Sequence, residues 1–216
     1  MQPPRVLITG AFLLAGISNA IAASSVDLSV VGKITPSACT PSFPGSNVVD
    51  YGKISAQDLK PSLSTPLPDT TLKMRVDCAA TALIAVKVTD NRLGTGYNKS
   101  IPSQPLLSGF GLGLASNDAK IGGYILKISD ALADSIPGEP IESKDGQTWF
   151  DAWDSVWQPG WMRSIKAAAG PSIAPKPLQT LEADLRFEAW IAPSRDLPIT
   201  EEVQIDGNAT LDIVYL

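Results

Sequence analysis

The chain has 216 residues, with 17 Lys and Arg against 22 Asp and Glu and no histidine at all. A formal charge of -5 disfavours general binding to phosphate backbones. The missing imidazole removes Ser-His-Asp and Cys-His catalysis, His-ligated zinc, copper and non-haem iron, and His-based proton transfer. Hydrophobic residues make up 44%, enough for a sizeable core, while 17 Gly and 18 Pro argue against long helices.

Met1 to Arg5 makes a short positive start, and Val6 to Ile21 is apolar or small and uncharged. The run ends in Ala20-Ile21-Ala22, the small-x-small pattern of a cleaved secretory signal, so residues 1–22 are expected to be removed, with cleavage after Ala22 or Ala23. The strongly apolar part is too short to span a bilayer comfortably, and no later stretch is a candidate span. Removal of Arg5 with the signal leaves 16 positive against 22 negative side chains. The expected destination is therefore outside the cytoplasm, and residues 23–216 are expected to form a single domain.

Export places Cys39 and Cys78 in an oxidising compartment, where a structural disulfide is the expected state. In the chain-entropy picture, closing a loop of about 40 residues contributes roughly 4 kcal/mol.

Past the signal the hydrophobic period is two. Val26, Leu28 and Val30 alternate with Ser25, Asp27 and Ser29, and Leu72, Met74, Val76 and Cys78 alternate with Thr71, Lys73, Arg75 and Asp77. Leu83–Val88 is apolar and β-branched, Tyr124–Ile128 and Leu181–Trp190 alternate again, and Ala209–Leu216 closes the chain. Pro-Ser, Asp-Asn, Pro-Gly and Asp-Gly clusters lie between these runs. Short alternating runs with frequent breakers predict an all-β fold, an antiparallel β-sandwich. The Pro-rich stretch 168–177 reads as a surface loop.

Gly109, Gly111 and Gly113 alternate with Phe110, Leu112 and Leu114, but more strand follows. That context suits a bare strand face approached by another backbone or ring, and does not fit a dinucleotide fingerprint. No nucleophile elbow, S-x-x-K or phosphate-binding loop is present. The protein is expected to be non-enzymatic, with no cofactor and no metal.

Trp149, Trp153, Trp157 and Trp161 recur every four residues, with Asp151 and Asp154 between them. Pro159-Gly160 would break a helix before the last ring, and Asp145-Gly146 suggests a hairpin. Two readings stand. Indoles dominate core packing wherever they occur; alternatively the flat rings and carboxylates form a glycan surface on a stand-alone carbohydrate-binding sandwich.

In the last run Ala209, Leu211, Ile213 and Tyr215 share one face. A terminal strand of this kind is either an internal sandwich strand or one open to β-augmentation by another chain. Four such side chains, buried at about 1.5–3 kcal/mol each, would supply a gross gain of order 6–12 kcal/mol.

A signal followed by Val26-Asp-Leu-Ser-Val-Val-Gly-Lys-Ile-Thr-Pro-Ser-Ala-Cys39, a second Cys some forty residues on and a penultimate Tyr215 resembles the pilin-type subunits of the bacterial chaperone–usher pathway. Ile34–Pro41, Val49-Asp-Tyr-Gly52, Thr89-Asp-Asn-Arg92, Gly111–Leu114 and Ile205-Asp-Gly207 bring the chain closer to a fimbrial-like secreted branch described only as a domain of unknown function. The resemblance implies an immunoglobulin-like sandwich lacking its last strand, finished first by a periplasmic chaperone and then by the amino-terminal extension of another subunit at an outer-membrane usher. It further implies that Val26, Leu28 and Val30 are the donated plugs and that Ala209, Leu211, Ile213 and Tyr215 edge the acceptor groove. Localisation would be the periplasm in transit, then the cell surface or medium. The chain departs from the pilin pattern at Val203, where a glycine is common, and in the short stretch before Cys39.

Overall fold

The computed structural model describes residues 29, 31, 38–98, 109–152, 156–167 and 173–216. The expected signal peptide, the donor residues Val26, Leu28 and Val30, and Trp153 and Asp154 lie outside these residues. Among the described residues twelve strands occur in chain order: β1 Cys39–Ser42, β2 Thr65–Pro66, β3 Thr70–Ala82, β4 Ile84–Asp90, β5 Phe110–Gly111, β6 Gly122–Ala133, β7 Ile136–Pro137, β8 Pro140–Ser143, β9 Phe150–Asp151, β10 Met162–Ile165, β11 Leu178–Ile191 and β12 Ala209–Tyr215. Among the described residues the only helical pieces are three single turns of 3-10 type.

The strands form two sheets, β1-β3-β11-β6-β5 with β2 and β7 appended, and β12-β4-β10-β8-β9. Every named pairing is antiparallel. The all-β sandwich expected from the period-two pattern is thus present, with the alternating runs appearing as β3, β6, β11 and β12 and the apolar, β-branched run as β4. Met74 and Val76 of β3, Leu126 and Ile128 of β6 and Leu181 and Leu185 of β11 meet Val86 and Val88 of β4 in the main core. Alternation places Lys73, Arg75, Asp184 and Arg186 on the opposite, solvated face, where Lys73 pairs with Asp184 at 2.8 Å and Arg186 with Asp69 at 2.5 Å.

Two turns follow directly from local chemistry. Asp134 and Ser135 take positive φ in the tight link between β6 and β7, the conformation that matches the twist of a two-residue hairpin. The Asp134 carboxylate accepts the backbone N–H groups of Gln179 and Thr180 at 2.8 Å each, which ties the turn to β11 and holds its carboxyl below the ordinary range. Asp145 likewise accepts N–H bonds from Gln147 and Thr148, and Gly146 has φ 76° in the expected hairpin between β8 and β9.

The disulfide Cys39–Cys78 is formed between residues directly opposite each other on β1 and β3. It clips the short, exposed β1 to the longest strand pair of the sandwich.

Candidate functional site: the open edge of the last strand

β12 is an edge strand. It pairs with β4 from Ala209↔Asp90 to Tyr215↔Ile84, and no described strand pairs with its other side. The ladder fixes which backbone groups are left over. Asn91 N–H donates to Asn208 O and Leu216 N–H to Leu83 O, so residues 208, 210, 212, 214 and 216 turn their bonding groups toward β4. Those of Ala209, Leu211, Ile213 and Tyr215 therefore face away from the sheet.

The same alternation sends the Ala209, Leu211 and Ile213 side chains inward, where they pack against the main core but remain only partly buried. Their partners on β4 are sealed: Val86, opposite Ile213, and Val88, opposite Leu211, are fully buried. Among the described residues no strand covers this half-buried inner face or takes up the outward backbone groups of β12.

Across this gap lies β1. Its Cys39 N–H donates to the Tyr215 hydroxyl at 2.8 Å, so the edges of the two sheets meet at this end. At the other end the segment leading into β12 lines an open cleft of about 900 Å³. The floor of the cleft is apolar, with Ile54, Ile121, Ile191 and Ile205, and Asp50, Glu201 and Glu202 are among its polar lining residues. Asp206, between cleft and strand, is clamped by Arg92 at 2.7 Å, and that guanidinium holds its carboxyl below the usual range.

The structure does not gather the described tryptophans of this run, Trp149, Trp157 and Trp161, into one surface. Trp157 is fully buried in the main core, donating its indole N–H to Trp161 O at 3.0 Å, and Trp161 packs partly buried against the same core. Trp149 joins Ala85, Ile141 and Met162 in a separate cluster, and its indole N–H reaches Gly146 O. Asp151 is held by Lys166 at 2.8 Å. Pro159 and Gly160 form a turn, with φ 82° at Gly160, and among the described residues of this stretch there is no helix to carry the spacing of four. The described rings serve packing, and none of them offers an open aromatic platform.

The alternating glycines lie where other chain segments press close. A Cβ on Gly111 would stand 2.0 Å from Thr95 Oγ1 and 2.6 Å from Arg92 O, and Gly109 lies under the Trp190 ring. Sequence reasoning missed Arg163, which is fully buried on β10 beside the Trp157 ring and paired with Glu142 at 2.9 Å. Burial lowers its pKa to about 10, with Glu142 acting in the opposite direction.

Comparison with known proteins points to an uncharacterised group. Residues 28–108 match the family model described as a protein of unknown function, DUF1120. Over 97% of its length the chain is 28% identical to Protein GltF of Escherichia coli K12, covering 98% of that protein. It is 26% identical to the uncharacterized protein YhcF of the same strain, with both chains covered in full. The family match spans β1, the disulfide and the β3–β4 pair that carries β12.

Proposed function

We propose that this protein is an exported, non-enzymatic, fimbrial-like structural or adhesion subunit that is completed by a β-strand from another polypeptide. The observation that carries this reading is the β12 edge, with the backbone of Ala209, Leu211, Ile213 and Tyr215 turned outward and the Ala209, Leu211 and Ile213 side chains on a half-covered core. Addition of a strand supplies main-chain hydrogen bonds along the edge, and every second side chain of the incoming strand enters the gap between the sheets. A periplasmic chaperone is the first donor and an extension of a like or related subunit the second, with assembly at an outer-membrane usher. Val26, Leu28 and Val30 are the side chains such an extension offers, and their period of two matches the acceptor.

The alternative, a stand-alone carbohydrate-binding module, receives no support from the described tryptophans, which are packed. The test is assembly. Leu28→Asp puts a charge on the inserted face, so it is expected to abolish higher species while leaving a chaperone-bound monomer. An unfolded Leu28→Asp monomer, together with a wild type that never assembles, would mean that residues 23–31 belong to the protein's own sheet.

A further inference from the structure

Two strand edges leave the corner where β3 passes into β4. Cys39 of β1 pairs with Cys78, and Tyr215 of β12 pairs with Ile84. From the corner, β1 runs back along β3 to Ser42↔Arg75, while β12 is traced back along β4 to Ala209↔Asp90. An antiparallel ladder joining the two edges would set Cys39 opposite Tyr215 and Pro41 opposite Ile213. It would close the sandwich with the chain's own strand and consume the acceptor.

The backbone of β1 is built against that closure. Ala79 N–H donates to Ala38 O, so Ala38, Thr40 and Ser42 turn their bonding groups to β3, and Cys39 and Pro41 turn theirs away. Neither outward position has an N–H to give to β12's backbone. That of Cys39 is drawn to the Tyr215 hydroxyl at 2.8 Å, a side chain reaching across from β12. Pro41 has none, and its ring stands where the donor would point. The outward residues of β12 that face this edge, Ile213 and Tyr215, are both ordinary donors and acceptors.

We infer that β1 is a guarded edge: Pro41 and the Cys39–Tyr215 hydrogen bond keep it from pairing with β12 of its own chain, so that only a strand from another polypeptide completes the acceptor. The inference rests on the strand-addition reading above. Proline on a sheet edge blocks unwanted pairing in general, and here the pairing it blocks is within one molecule. The guard also makes the acceptor one-sided. An incoming strand extends the five-stranded sheet by bonding to β12, and finds no outward N–H on β1.

The test is residue-resolved amide exchange in the mature protein (residues 23–216), with a synthetic peptide of residues 23–36 as the strand probe. In Pro41→Ala combined with Tyr215→Phe, the Ile213 amide is expected to slow by about tenfold without peptide, while Ala209, beyond the reach of β1, stays fast. The same double variant should bind the peptide about tenfold more weakly than wild type. Tyr215→Phe alone should leave Ile213 fast, because Pro41 still blocks the second rung. If the double variant fails to fold, Pro41→Ala alone decides: its new amide at position 41 should be protected, and free exchange there would overturn the inference. An Ile213 amide as fast in the folded double variant as in wild type, or one already slowed by Tyr215→Phe, would overturn the guard and leave strand addition standing. Outward β12 amides that are slow in the wild type, or fast and unmoved by the peptide, would overturn both readings.

Discussion

Truncating Leu211 to alanine tests the open edge by thermodynamic linkage. A fully buried leucine replaced by alanine costs about 2–5 kcal/mol, part of it from lost transfer energy and part from the cavity left behind. Leu211 is only partly buried where it packs against the core, so much of that penalty is absent in the isolated protein. A cost of about 1–2 kcal/mol is expected there. Val88→Ala, directly across the ladder and fully buried, gives the reference for a sealed site. Once a strand covers the edge, Leu211 becomes as enclosed as Val88, and the cost of the same truncation should rise by about 1–2 kcal/mol. Urea denaturation of wild type and Leu211→Ala, with and without a saturating 23–36 peptide, measures the difference after allowing for the stabilisation by bound ligand itself. A Leu211→Ala cost that is already full in the isolated protein, or identical with and without peptide, would refute the reasoning.

Three further outcomes follow from packing and charge. Trp157→Ala should destabilise by about 3–5 kcal/mol, as expected of a fully buried indole; thermal unfolding measures it, and a stable variant that only loses glycan binding would contradict the packing role. Glu142→Gln leaves the buried Arg163 charge without its carboxylate and should cost about 3 kcal/mol or more in a denaturant series, whereas Glu142→Gln combined with Arg163→Met should recover most of that loss. Asp134 has a depressed carboxyl, so its contribution is present above the ordinary carboxylate range and is lost as pH falls through its lowered value. Asp134→Asn should therefore weaken the fold at neutral pH and matter progressively less toward pH 2, as read from stability against pH.

The sandwich was legible because its long strands have one wet face. In β3 and β11, Lys73, Arg75, Asp184 and Arg186 alternate with Met74, Val76, Ala183 and Leu185, and that alternation announces both the strand and its inner side. β10 escaped the same reasoning. Met162-Arg163-Ser164-Ile165 is buried on both faces, so no period of two survives, and a charged residue in the middle reads as surface until Glu142 and Trp157 are seen beside it. The tryptophan spacing left packing and a glycan surface open, and the described rings pack. A regular interval of four would make a common stripe only in a helix, whereas Trp149 follows the β8–β9 hairpin and packs in a different cluster from Trp157. Of the candidate site, the inward face of β12 was readable from its alternation, but its position at a sheet edge was not. Edge or centre depends on which strands pair with it, and the β4–β12 pairing joins segments more than 110 residues apart.

The most direct measurement is residue-resolved amide hydrogen exchange across β12 in the purified mature protein. The account predicts a period of two: slow exchange at Thr210, Asp212, Val214 and Leu216, whose N–H groups face β4, and fast exchange at Ala209, Leu211, Ile213 and Tyr215. Adding the donor strand should slow the second set and leave the first unchanged. Uniform protection of all eight amides in the isolated monomer would contradict it, because the edge would then already be paired.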